Sequence, residues 1–135
     1  MIYVENYTTK KANQVAFTVL KAFEEIVEGK SLYLIVGDKN TIRTIFPADD
    51  PRWEKLAKLL YKNGKVTAGK RNIYLSVQGK DCHPEKGDIV IDIYTMRTYQ
   101  YPTLYGEAHV VILPWQKSDA ECLQRYPIYS LSLVA

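Results

Sequence analysis

Three residues set in two strand-like runs, "GDIVIDIY" and "GEAHVVIL", are the natural candidates for chemistry: Asp92, Glu107 and His109. Side chains along a strand alternate between its two faces. In the first run Ile89, Ile91 and Ile93 share one face, and Asp88, Val90, Asp92 and Tyr94 the other. In the second, Glu107, His109, Val111 and Leu113 oppose Ala108, Val110 and Ile112. Paired as a hairpin across 95–106, the two runs set Asp92 against His109, with Glu107 near Tyr94. A carboxylate beside an imidazole fixes its tautomer and raises its basicity, as general-base or metal-assisted hydrolysis requires. The competing role is a cross-strand ion pair that only supports the sheet. A one-residue slip in register would separate the groups altogether.

"DCHPEK" places Cys82 beside His83. Adjacent residues of an extended segment point apart, so this stretch reads as a loop rather than a metal or nucleophile site. Neither Cys82 nor Cys122 has metal or redox spacing. No cofactor and no metal are expected.

A non-catalytic surface is suggested by "YTMRTYQYPTLYG", which gathers Tyr94, Arg97, Tyr99, Tyr101 and Tyr105 out of 11 tyrosines in the chain. Tyrosine and arginine supply large, amphipathic contacts favoured where proteins meet. A loop this long in a small domain is more often functional than idle. The opposing reading folds these rings back over the core.

Charge gives a third candidate. The net charge is only +3, but 52–71 holds Arg52, Lys55, Lys58, Lys62, Lys65, Lys70 and Arg71 against the single acid Glu54. Such a cluster focuses positive potential, and each cation set on a phosphate releases counterions and adds sequence-independent affinity for nucleic acid. Tyr61 and Tyr74 lie close enough in sequence to serve as stacking platforms for unpaired bases. Against this, amphipathic helices commonly carry lysines outward for solubility alone.

The elements that would hold these residues follow from periodicity. "MIYVENY" opens as a strand; from Thr9, Ala12, Val15, Ala16, Val19, Phe23, Ile26 and Val27 recur three and four apart, which predicts a helix ending near Gly29. "SLYLIV" and "TIRTIF" flank Gly37-Asp38-Lys39-Asn40. A phosphate loop would carry more glycines and feed a helix, so a β-hairpin is the expectation here. A second helix is punctuated by Asp50 as cap, Pro51 in its first turn and Gly64 at its end, with Trp53, Leu56, Ala57 and Leu60 inward. Strands are expected at 72–77, 88–94, 108–113 and 127–134, with a short helix opened by Ser118-Asp119-Ala120-Glu121.

This order predicts an α+β fold in a single domain, residues 1–135, with a mostly antiparallel sheet and two main helices on one face. The alternative is a Rossmann-like three-layer α/β fold built on the apolar runs at 89–93 and 110–113. At 135 residues the chain can bury a core without staples. No apolar run approaches the roughly 20 residues that span a bilayer. The amino terminus lacks the order of a secretory signal, so a cytoplasmic location is expected.

The functional expectation is a small non-enzymatic binding or regulatory module. Its tyrosine-rich segment would contact a protein partner or a second copy in a homodimer. The alternative is nucleic-acid binding on Lys55, Lys58, Lys62, Lys65, Lys70 and Arg71. Third comes a small hydrolytic or metal-assisted enzyme around Asp92, Glu107 and His109.

Overall fold

A computed structural model of the chain describes residues 2–80, 82–95, 106–123 and 129–131. The elements run β1 (Ile2–Val4), α1 (Lys11–Glu25), β2 (Ser31–Val36), a 3-10 turn (Lys39–Arg43), α2 (Pro51–Asn63), β3 (Lys65–Ala68) and β4 (Arg71–Val77). They continue with β5 (Ile89–Ile93), β6 (His109–Leu113), a short helix α3 (Lys117–Leu123) and β7 (Tyr129–Leu131). The seven strands form one sheet in the order β3-β4-β2-β5-β6-β1-β7. Among the described residues no helix is long and apolar enough to cross a membrane.

Helices thus pack on a sheet in an α+β arrangement, as expected, but the sheet is not mostly antiparallel. Among the described residues only β3 and β4 run antiparallel, and every other neighbouring pair is parallel. The Rossmann-like alternative fits this parallel sheet. The physical reason lies in burial. All five residues of β5, Ile89 to Ile93, are buried, because both faces of the sheet are covered. A strand covered on both sides needs a nearly continuous apolar run, which is the mark of a parallel interior.

The hairpin expected at Gly37–Asn40 is also corrected. After β2 the chain enters the 3-10 turn, with the Asp38 carboxylate accepting from the Asn40 amide at 2.7 Å. Ile42, Ile45 and Phe46 are the buried residues here. Their three-then-one spacing belongs to a helical turn followed by irregular chain, not to the strict alternation of a strand.

One face of the sheet, with Leu32, Leu34, Val36, Ile73, Ile89, Ile91 and Ile93, packs against Val15, Val19 and Ala22 of α1 and Trp53, Ala57 and Leu60 of α2. The two main helices therefore share a face, as expected. The other face, with Ile35, Val90, Val110 and Ile112, packs against Leu123 of α3 and Cys82. Helix α2 ends as its sequence requires. The Asp50 side chain accepts from the Arg52 amide at 3.0 Å, Pro51 opens the first turn, and Gly64 closes the helix at φ 71. In α3 the reach-back lies two residues earlier than expected: the Asp119 carboxylate accepts from the Gln116 amide at 3.0 Å.

Leu34 is fully buried at the centre of the face beneath the two helices. Leu34→Ala should therefore lower unfolding free energy by about 2–5 kcal/mol, read from the shift in a urea denaturation curve; a loss under about 1 kcal/mol would contradict this packing.

Candidate functional site

Parallel strands place all their carboxyl ends at one edge of the sheet. Chain leaving β2 goes through the 3-10 turn and α2 to β4 on one side, while chain leaving β5 returns to β6 on the other. Connections that part in opposite directions leave a crevice between them, the usual ligand position in open α/β sheets. Here the crevice measures about 540 Å³, within the range of small-molecule sites. Gly37, Asp38, Thr41 and Thr44 line it from the β2 side, and Ile93, Tyr94 and Trp115 from the β5 and β6 side. Ile45 adds apolar surface, and Lys11 and Ala12 bring in the first turn of α1.

Lys11 is the centre of the arrangement. Its ammonium lies 4.7 Å from the ring centre of Tyr7, 5.3 Å from Tyr94 and 5.0 Å from Trp115, and donates to the Thr8 carbonyl at 3.2 Å. Tyr94 and Trp115 meet edge to face at 5.1 Å. Aromatic faces attract a cation through their quadrupoles but replace only part of its hydration. Desolvation accordingly pulls the Lys11 pKa below the usual lysine value, and the charge of Asp119 works in the opposite direction. The amino end of α1 has no side-chain cap and no acid in its first turn, so its leading amides add positive potential at the same point.

Tyr94 is held in an unusual backbone state. Its φ of 65 lies in the left-handed region, which a bulky side chain rarely occupies. The turn is closed by Asp92, fully buried, whose carboxylate accepts from the Thr95 amide at 3.1 Å and from the Thr95 hydroxyl at 2.6 Å. Strain of this kind gathers at functional sites and survives only where surrounding contacts enforce it. Among the described residues the buried Tyr94 hydroxyl meets no hydrogen-bond partner, and burial pushes its pKa up to about 12.

The residues named from the sequence fall in several places. Asp92, Glu107 and His109 do not form a cluster. With β5 and β6 parallel, Asp92 pairs with Ile112, and His109 with Ile89. Three residues of strand separate the two groups, about 10 Å along the sheet. The hairpin that was to join them is absent because β5 and β6 run the same way. His109 is exposed at the start of β6, where its amide donates to the Asp88 carbonyl at 3.1 Å, and Glu107 is exposed just before it. Cys82 sits in a loop and is buried, which raises its thiol pKa to about 11. Among the described residues no group of three or more His, Cys, Asp or Glu converges to hold a metal.

Of the tyrosine-rich segment, Tyr94 lines the crevice; Arg97, Tyr99, Tyr101 and Tyr105 lie outside the described residues. Lys55, Lys58 and Lys62 do share the exposed side of α2, but Lys58 pairs with Glu54 at 2.9 Å and Arg52 with Asp50 at 3.0 Å. Lys65 is exposed at the start of β3 and Lys70 in the β3–β4 turn. Arg71 serves the fold, its Nε donating to the Ile26 carbonyl at 2.8 Å just past α1. The candidate stacking rings are engaged as well: Tyr74 stacks on Tyr33 at 5.1 Å, and Tyr61 lies beneath Lys39 and Arg43. Lys11, Thr44 and Trp115 carry no signal in the sequence, and the stretch Gly37-Asp38-Lys39-Asn40 with Thr41 after it reads there as a turn rather than a ligand loop. Only the parallel strand order brings them to one edge.

No family model matches the chain, and neither curated proteins nor solved structures give a match to it.

A tyrosine whose pKa is raised on folding favours the native state fully below its ordinary value near 10 and loses that contribution as pH climbs through about 12. Tyr94→Phe keeps the ring and deletes the unpartnered hydroxyl. The variant should equal or exceed the native protein in thermal stability at neutral pH and lose less stability between about pH 10 and about pH 12; a marked drop at neutral pH would mean that the hydroxyl is engaged.

Proposed function

We propose that the protein is a binding module for a small anionic molecule, held in the crevice at the carboxyl ends of β2 and β5 with its negative group beside Lys11. The observation that carries this reading is the partly desolvated Lys11 ammonium, ringed by Tyr7, Tyr94 and Trp115 at the uncapped start of α1. A lysine whose pKa is displaced by burial, placed in a cleft, is a functional-site signature. An anion there restores the charge-assisted hydrogen bonds that the rings do not supply. It also meets the positive end of the helix dipole.

The remaining lining suggests the rest of the ligand. Ile45, Ile93 and the half-exposed Trp115 offer apolar and ring surface, while Thr41, Thr44 and Asp38 offer polar atoms on the opposite wall. A hydroxyl-bearing molecule with a ring and one anionic group satisfies both. Tyr94, where the tyrosine-rich segment begins, acts in this reading as part of the wall.

Inorganic phosphate, AMP and its uncharged counterpart adenosine separate the components of recognition. Thermal denaturation of the full chain should show phosphate and AMP raising Tm, with adenosine weaker than AMP. In Lys11→Ala the AMP affinity should fall at least about tenfold, or 1.4 kcal/mol, with Tm in the absence of ligand little changed. Equal stabilisation of the native protein and Lys11→Ala, or no response to any anion, would overturn the reading.

A further inference from the structure

The outward side of α1 carries a second stripe that the sheet does not use. Asn13, Phe17, Leu20 and Glu24 recur at alternating spacings of four and three, and all four are exposed, with Lys10 exposed at the cap just before them. Phe17 is 52% exposed and Leu20 50%, whereas Val15, Ala16, Val19 and Ala22 on the inward side are buried. Alternating three and four is the spacing with which one helix packs along another. The stripe is graded along its length, with a cation and an amide at the amino end, two apolar side chains in the middle, and a carboxylate towards the carboxyl end.

That gradient opposes the dipole of the helix itself. The first turn contains no acid and the last turn no base; Lys10 and Lys11 stand at the positive end, Glu24 and Glu25 at the negative end. Each placement is unfavourable in a lone helix. An antiparallel copy of α1 removes the conflict, because its negative end lies over Lys10 and its positive end over Glu24. A parallel copy would instead set lysine on lysine and glutamate on glutamate.

We infer that this face is covered by a second copy of the chain, in a two-fold antiparallel α1–α1 dimer. With the axis between positions 18 and 19, Phe17 meets the partner's Leu20, and Asn13 meets the partner's Glu24. Lys10, at the cap of one helix, falls towards the partner's Glu24 in the last turn of the other. The contact is self-complementary and closed, as a two-fold interface must be. Next to Leu20, a groove of about 200 Å³ between α1 and α2, bordered by Phe23 and Leu56, gives the partner's Phe17 ring an apolar seat. A helix of 15 residues is only about 22 Å long, so the interface is small and the association concentration-dependent. This surface is separate from the crevice, and the dimer stands or falls independently of ligand binding there.

Sedimentation equilibrium of the full chain between about 1 µM and about 1 mM tests the inference. The mass should rise from 15.5 kDa towards twice that value across the range. Phe17→Ser and Leu20→Ser alter exposed side chains, so the circular dichroism spectrum should hold while the dissociation constant increases at least tenfold. Glu24→Lys should weaken the dimer, and Lys10→Glu combined with it should restore association to within a few-fold. A constant 15.5 kDa mass, a dimer indifferent to Phe17→Ser, or a charge swap without rescue would each overturn it.

Discussion

The parallel pairing of β2 with β5 governs the rest of the molecule. Leu32 lies against Ile89 and Leu34 against Ile91, so the strands run in step and their side chains fall into two apolar sets. β5 has no residue facing water, and both faces of the sheet must therefore be roofed. Two strands running the same way cannot be joined by a tight turn, so the chain must cross over between them. The helices that cover the sheet are part of those crossings. Coverage and connection are met by the same pieces of chain.

The crevice follows from that geometry rather than from any motif. Aligned carboxyl ends bring the residue after β2, the turn after β5 and the start of α1 to one rim. The polar groups buried there have structural tasks that shape the site. Asp92 lies between Ile35 and Ile112 in the sheet and closes the turn that holds Tyr94 in its left-handed state. It is thus a positioning residue for the wall of the crevice. Arg71, from the far side of the sheet, ties the chain just past α1 through the Ile26 carbonyl, and so sets the helix whose first turn presents Lys11.

Both main helices were legible in the sequence because their signals are local: apolar spacing in α1, and Asp50, Pro51 and Gly64 around α2. The positions of the strands were also legible, within a residue or two for β4, β5 and β6. Their direction was not. The alternation in "GDIVIDIY" conceals that Val90 and Asp92 are as buried as Ile91 between them, and no nearest-neighbour pattern states which way a partner runs. A hairpin reading pairs Asp92 with His109, whereas the parallel register sets them three residues apart on neighbouring strands. Gly37 and Asp38 were set aside as a turn, although they border the crevice. Lys11 gave no signal because a lysine beginning a helix is ordinary until three aromatic rings from distant segments surround it.

The place of β1 carries a consequence for how the molecule is made. The first strand is interior to the sheet, between β6 and β7, with Ile2 paired to Val110 and to Tyr129. On the ribosome, Ile2 to Val4 leave the tunnel about a hundred residues before their first partner exists. The nascent chain can assemble α1, β2, α2, β4 and β5 in order, while β1 waits beside them. Completion of the sheet is a closing step: β6 and β7 clasp a strand made about a hundred residues before them, and the sheet stays open until they emerge.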